Sequence, residues 1–348
     1  MNIPYAINGL GRIGRALLRA ARVHPELRLV AVNDLASPAV LARLVARDSV
    51  YGPYPGQVRP EGPNLILDGR KVPVFAAAEP SAIPWQKAAP RLVVEATGAS
   101  RTGAFARGHL QGGVEQVVAV WNPQDPQDVD LTLCLGVNEG ALDRSRHRLI
   151  SAASCTTNAI APLAMLLDRA FGLRRGLSNS VHAVTNNQAL LDGPHGDPRR
   201  SRSALLNIIP TPSHAARAVA SVLPRLAGKL DGFAVRVPTG MGALLDLVVE
   251  LERPASAEAV RDLLRQAAAA ELAGILTVTE EELVSSDFVG NPASVIVDLP
   301  LVQVVDGGLL RVVGWYDNEW GYAHRLAEIL VLLGGGRTEE ARNEKEKP

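Results

Sequence analysis

The sequence predicts an α/β chain: a doubly wound parallel-sheet domain followed by an α+β domain with a mixed/antiparallel sheet. Three observations lead to it. Ile3 to Asn8 form a strand-like run that turns through glycines into a helical pattern from Ala16 to Ala21. Continuous apolar runs follow at Arg91 to Glu95, Val117 to Val120 and Leu131 to Leu133, as strands covered on both faces require. After a helical pattern that starts near Cys155, strand-length runs recur at Gly232 to Val237, Leu244 to Leu251, Val295 to Asp298 and Leu309 to Trp315.

The first turn, Gly9-Leu10-Gly11-Arg12-Ile13-Gly14, follows a strand and opens a helix. Glycine is needed where the turn tightens, where backbone approaches a pyrophosphate and where helix packs on strand. The next strand, Leu27 to Asn33, ends at Asp34, at the spacing of the acidic residue that accepts hydrogen bonds from an adenosine ribose. A carboxylate there repels a 2'-phosphate, so the motif predicts a Rossmann domain that takes NAD rather than NADP. Thr97 and Gly98, in the turn after the Arg91 to Glu95 strand, are expected cofactor neighbours. Pro53 to Pro73 reads as short strands and turns.

Ile160, Leu163, Leu167 and Ala170 continue the cysteine helix, and Ser256 to Leu272 reads as a surface amphipathic helix. The expected domains are an NAD-binding domain over 1–154 and a catalytic domain over 155–318. A C-terminal helix over 319–336, with its apolar pattern from Ala323 to Leu333, is expected to pack back on the first domain. The charged stretch 337–348 reads as a disordered tail.

With 348 residues the chain has material for about two cores, and its 47% hydrophobic and 21% charged residues are ordinary for a globular protein. Lys plus Arg (36) equals Asp plus Glu (36), so net charge steers it toward neither nucleic acid nor a membrane. No apolar run is long enough to cross a bilayer, and Arg12 and Arg15 interrupt any secretory pattern, so a cytoplasmic protein is expected. No metal-ligand cluster is evident, and the two cysteines cannot form a disulfide framework. Cys134 lies in a strand-like run and is expected in the core.

Cys155 stands where a helix begins, in Ser154-Cys155-Thr156-Thr157-Asn158. The helix N-terminus favours thiolate there, which makes Cys155 a candidate nucleophile. A lone cysteine is more often a buried structural residue, and both readings stay open at this point. A thiolate needs a base. His24, His109, His147 and His324 lie beside charged or turn residues and are expected as solvated surface histidines. His182 follows the strand-like Leu177 to Val181 and could project from a strand end, although a lone histidine in such a strand is more often a satisfied structural residue.

Taken together, Ile7 to Arg15, Ser154 to Asn158, Ser180-Val181-His182-Ala183, Asn207 to Thr211, Arg236-Val237-Pro238-Thr239, Ser285 to Phe288, Gly290-Asn291-Pro292 and Gly314 to Tyr322 carry a resemblance. Over nearly its whole length, and in order, the chain resembles the glyceraldehyde-3-phosphate dehydrogenases. The resemblance implies Cys155 as nucleophile and His182 as base. It implies NAD contacts from Asn8, Gly9, Gly11, Arg12, Ile13, Gly14, Asp34, Thr97 and Gly98, with Asn318 holding the nicotinamide amide and Tyr322 lining its pocket. Substrate and inorganic phosphate fall to Ser154, Thr156, Thr185, Arg200, Ser213 and Arg236, whose hydroxyls and forked guanidinium suit phosphate oxygens. A homotetramer is also implied.

The departures from that family's pattern gather near the substrate. His214 stands where a glycine is usual, Asn187 where an aspartate is, and Gly196 where a lysine is. Thr239 to Ala243 and Trp121-Asn122-Pro123 also differ. They keep open a second reading, a dehydrogenase of another phosphorylated aldehyde such as erythrose 4-phosphate, with water as a possible acyl acceptor. A further alternative is a non-catalytic NAD-binding paralogue.

Overall fold

The computed structural model describes residues 2–335; the expected disordered tail, 337–348, lies outside the described residues. The chain divides into two compact units. The first comprises residues 2–133, Glu139–Ala153 and residues 323–335; the second comprises Cys134–Asn138 and Ser154–Tyr322.

In the first unit β1 (Ile3–Asn8) runs into α1 (Arg12–Ala20), β2 (Leu27–Asn33) and α2 (Pro38–Ala46). A two-rung ladder of β3 (Arg47–Asp48) and β4 (Gly52–Pro53) precedes β5 (Val58–Glu61), β6 (Asn64–Leu67) and β7 (Arg70–Phe75). Then come β8 (Leu92–Glu95), α3 (Gly103–Arg107), β9 (Gln116–Ala119), β10 (Leu131–Thr132) and β11 (Leu149–Ser151). The sheet order is β10-β11-β9-β8-β1-β2-β7-β6-β5. Every pair is parallel except β6 with β7 and β5 with β6.

Strand order reverses at β1, which pairs with β2 on one side and β8 on the other. In such sheets ligands bind outside the carboxyl ends of the strands at this switch point. Asn8 ends β1 opposite Glu95, which ends β8. One core cluster holds Trp85, Val93, Val117 and Trp121.

The second unit begins with α4 (Cys155–Phe171) and β12 (Leu173–Ala183). There follow β13 (Ile209–Pro212), β14 (Leu230–Val237), β15 (Ala243–Leu251), α5 (Ala257–Ala269), β16 (Leu276–Thr279), β17 (Val295–Asp298), β18 (Gln303–Val305) and β19 (Leu309–Tyr316). The order β13-β14-β12-β15-β19-β17-β16 is mixed: β12 with β14 and β16 with β17 are parallel, the others antiparallel. β13, with prolines at 210 and 212, lies at the edge, where a missing N–H costs no ladder bond.

Leu245, Leu247, Val249 and Leu251 alternate inward along β15, and α4 packs on β12, β15 and β17. Leu163, Leu166 and Leu167 of α4 are fully buried, each contributing about 2 kcal/mol by removal from water. The last helix, α6 (Trp320–Leu333), passes into the first unit at Ala323. Within that unit Ala323 packs on Ala16 and Ala20 of α1.

Candidate active site

The first unit presents a tight glycine loop. At Gly9, with φ +92°, a Cβ would lie 2.7 Å from Thr97 N; at Gly14 it would lie 2.2 Å from Gly9 O. Nothing stands within 4 Å of the corresponding place at Gly11, which also brings no side chain to cap α1. The loop is thus closed against the sheet and open above the helix start, which fits a pyrophosphate on backbone N–H groups. Ile13 is half-buried, and the guanidinium of Arg12 pairs with Asp48 at 2.5 Å. Asp34 accepts from Leu10 N at 2.8 Å and from Ala36 N at 2.9 Å, which leaves lone pairs on both oxygens for a ribose diol. Gly98, at φ +68°, is likewise open where a Cβ would be.

Beneath this loop the side chain of Asn8 is committed to the protein: Nδ2 donates to Glu95 Oε2 at 2.5 Å and Oδ1 accepts from Asn33 Nδ2 at 2.7 Å. Thr97 donates to Glu95 Oε1 from its N–H, at 2.9 Å, and from its hydroxyl. His109, expected at the surface, is fully buried and bonds to the same carboxylate. His24 is buried as well, and His324, half-buried, is held down to about 4 by burial and the neighbouring Arg325 charge. The surface expectation fails for these three because burial was decided by contacts distant in sequence; His147 stays half-exposed. Trp121 is also a core residue, buried among Trp85, Val93 and Val117.

In the second unit Ser154 caps α4, its Oγ accepting from Thr157 N at 3.1 Å. The preceding residue, Ala153, takes φ +57°, a left-handed conformation uncommon for alanine. This turn sets Cys155, part-exposed, at the start of α4, with Sγ 3.8 Å from His182 Nε2. Cys134, buried and in no disulfide, lies with its Sγ 3.4 Å from Asn158 Oδ1. His182 sits near the end of β12, directly opposite Arg236 of β14. Arg236 Nη1 reaches His182 Nδ1 at 2.5 Å and the Ala183 carbonyl at 3.0 Å.

Burial, then the Arg236 charge, depress His182 from 6.5 to about 3, so its ring is neutral at neutral pH, and with Nδ1 2.7 Å from the Ala183 carbonyl it is Nε2 that is left to accept. Burial pushes the Cys155 thiol up; the Thr156 hydroxyl and the Arg236 charge pull the other way. The start of α4 acts in the same sense as Arg236.

The proposed phosphate residues fall into groups. Thr156 donates or accepts with Tyr316 OH at 2.9 Å. The segment of Ser213 and His214 follows β13, and the next carbonyl, Ala215, accepts from Thr157 Oγ1 at 3.2 Å, which draws that segment to the start of α4. His214 itself is exposed. Thr185 donates to Gln188 Oε1 at 3.0 Å, and Arg200, 3.4 Å from Asp197, is near enough for its charge to act on Arg236. Asn318 Oδ1 accepts from Gly242 N at 3.1 Å, and Tyr322 is buried. Tyr316 was not singled out in the sequence, although it lies within a string that was: it ties Ser180 Oγ (2.7 Å) to Thr156 and meets the His182 ring edge-on at 6.1 Å.

A dinucleotide-type loop in one unit and a helix-borne thiol beside an imidazole in the other define the class: a nicotinamide-dependent dehydrogenase that works through a cysteine. Two family models match the chain, the glyceraldehyde 3-phosphate dehydrogenase NAD binding domain over residues 3–103 and the C-terminal domain of the same enzymes over 154–318. The chain belongs to the glyceraldehyde 3-phosphate dehydrogenase family. It is 47% identical to a glyceraldehyde-3-phosphate dehydrogenase of Kitasatospora aureofaciens, over 94% of this chain and 98% of the relative. It is 44% identical to glyceraldehyde-3-phosphate dehydrogenase 1 of Bacillus subtilis strain 168 and to that of Geobacillus stearothermophilus, each over 96% of this chain and 98% of the relative.

Proposed function

We propose that this chain oxidises glyceraldehyde 3-phosphate with NAD and inorganic phosphate to an acyl phosphate, by way of a thioester on Cys155. One observation carries the reading: the thiol at the first turn of α4 with an imidazole nitrogen 3.8 Å away. His182 takes the Cys155 thiol proton as the sulfur adds to the aldehyde carbon, and returns it to the carbonyl oxygen to give the hemithioacetal. It takes that proton again as the C–H bond breaks, which leaves the thioester on sulfur. NAD, when bound, supplies the hydride acceptor. Backbone N–H groups at the start of α4, with His182, are the donors that would stabilise the developing oxyanion. Inorganic phosphate then attacks the thioester carbonyl, the C–S bond breaks, and the thiolate is restored.

Gly9, Gly11, Ile13, Gly14 and Arg12 would hold the pyrophosphate end of NAD, Asp34 the ribose, Thr97 and Gly98 the approach to the nicotinamide, and Asn318 and Tyr322 its carboxamide pocket. Asn8 serves through its backbone position, its side chain being committed to Glu95 and Asn33. Ser154, Thr156, Thr185, Arg200, Ser213, His214 and Arg236 are the proposed surroundings of the substrate and inorganic phosphates.

A homotetramer accords with exposed apolar side chains in the second unit: Leu177 and Phe233 on neighbouring strands, and Leu190, Leu191, Leu206 and Ile208 between β12 and β13. Sedimentation velocity tests it. A cytoplasmic location accords with both cysteines being in no disulfide. Among the described residues no helix is long and apolar enough to cross a membrane.

The deciding experiment follows NADH formation from glyceraldehyde 3-phosphate and from erythrose 4-phosphate, each with and without inorganic phosphate. Phosphate-dependent turnover of the triose is expected. Turnover that ignores phosphate, or a preference for the tetrose, would overturn the assignment.

A further inference from the structure

Glu95 is 1% exposed and is the buried carboxylate at the switch point of the first sheet. Its partners are donors rather than cations in direct pairing. Asn8 Nδ2 donates to Oε2 at 2.5 Å, His109 Nε2 stands 2.9 Å from Oε2, and Thr97 donates to Oε1 from both its N–H and its hydroxyl. The proton on His109 is placed by Trp85. The indole Nε1 can only donate, and it lies 3.1 Å from His109 Nδ1, so Nδ1 accepts and Nε2 carries the proton toward Glu95. Burial pushes the Glu95 carboxyl up, but the bonds from His109, Thr97 and Asn8 outweigh it and hold it below the usual carboxylate range.

The network reaches each turn that surrounds the dinucleotide loop. Asn8 immediately precedes Gly9, whose missing Cβ is where the backbone of Ala96 and Thr97 comes closest. Thr97 N and Oγ1 are fixed by Glu95 itself. Through Asn8 the network bonds to Asn33, which in turn exchanges bonds with the backbone of Ala77 and directly precedes Asp34. Asp34 closes the circuit by accepting from Leu10 in the glycine loop.

The geometry points to Glu95 as a positioning residue for NAD: a buried anion that locks the Gly9, Asp34 and Thr97 turns into one arrangement and sets cofactor affinity without touching the cofactor. This rests on the first unit binding NAD. The needed property is acceptor character on both carboxyl oxygens. A glutamine there sets an amide N–H against Asn8 Nδ2 and His109 Nε2 in one orientation and against Thr97 N–H in the other, donor against donor in both.

The test measures NAD dissociation constants of the ligand-free enzyme by calorimetry, for wild type, E95Q and the double variant N8D/E95Q. In the double variant the amide of residue 95 donates to a carboxylate at residue 8, and the donor and acceptor roles are exchanged. E95Q is expected to weaken NAD at least about tenfold, the loss from one broken charge-assisted bond. Its kcat at saturating NAD and its rate of Cys155 alkylation by iodoacetamide should stay within about twofold, which general loosening of the fold would not allow. The double variant should recover most of the affinity. Unchanged affinity in E95Q, or an equal fall in kcat and alkylation rate, overturns the proposal. Wild type that fails to bind NAD overturns the cofactor assignment along with it. Should E95Q not fold, W85F decides: it leaves His109 Nδ1 without its donor, and NAD affinity unmoved by it refutes the network's role.

Discussion

His182 and Arg236 stand in register on the neighbouring parallel strands β12 and β14, and the guanidinium approaches His182 Nδ1 to 2.5 Å. One cation therefore borders the imidazole on the side away from Cys155, whose sulfur lies 3.8 Å from the other ring nitrogen. Replacing Arg236 by glutamine should act twice. Losing a forked charge-assisted contact raises KM for the phosphorylated aldehyde roughly ten- to a hundredfold. Losing its charge also raises the His182 pKa, because that charge is second only to burial among the causes of the depression. The acid limb of kcat/KM should move to higher pH; a limb that stays in place counts against the contact.

Cys155→Ser should reduce NADH formation to background while leaving NAD binding by calorimetry unchanged, since a serine hydroxyl is a far weaker nucleophile than a thiolate. Residual turnover comparable to wild type would rule out the thioester route.

Ala153 carries the left-handed turn into α4, at φ +57° and fully buried. Ala153→Gly relieves a conformational cost of about 1–2 kcal/mol and adds about 0.5–1 kcal/mol of unfolded-state entropy, so urea unfolding should show a change within about 1 kcal/mol. Ala153→Val, β-branched at positive φ, should destabilise by about 1–3 kcal/mol or more. Equal stabilities for the two variants would mean that the turn is not constrained.

Acid should destabilise the protein through its histidines. His182 is depressed from 6.5 to about 3 and His324 from 6.5 to about 4, so the unfolded chain binds more protons than the folded one between those values. Stability then rises with pH across that window and is lost as pH falls through it. Thermal unfolding midpoints should drop from neutral pH toward the folded pKa values, and His324→Gln should flatten part of the slope.

Tyr316→Phe removes the hydroxyl that joins Ser180 to Thr156. A cost of about 1 kcal/mol in urea unfolding is expected, with a several-fold fall in kcat because the first turn of α4 loses a lateral support. Wild-type kcat in this variant would leave the tyrosine a purely structural residue.

What could be read from the sequence were features with local causes. Gly9 and Gly14 announce a turn because a Cβ at either would run into backbone, and Ser154 announces α4 because a serine cap bonds the residue three ahead. What could not be read depends on partners far away. His109 looked like a turn histidine after Gly108, yet Trp85 and Glu95, 24 and 14 residues off, bury it. Trp121 stood out only as a departure from the family's pattern, and its place in the core depends on Trp85, Val93 and Val117. Strand β13 was hidden by its prolines, which an edge strand tolerates. Tyr316 gave no local sign, since its role arises only where β12 and α4 bring two hydroxyls to it.

The passage of α6 into the first unit has a consequence for biosynthesis. Synthesis runs from the amino end, and a growing chain that has delivered the whole parallel sheet still lacks the segment from Ala323, whose small side chain meets Ala16 and Ala20 of α1. The side chain of Ile3 likewise waits for Gly334, where a Cβ would come within 2.4 Å of it. The unit begun first is completed last. The seam between α1 and α6 can close only once the chain between them has been made.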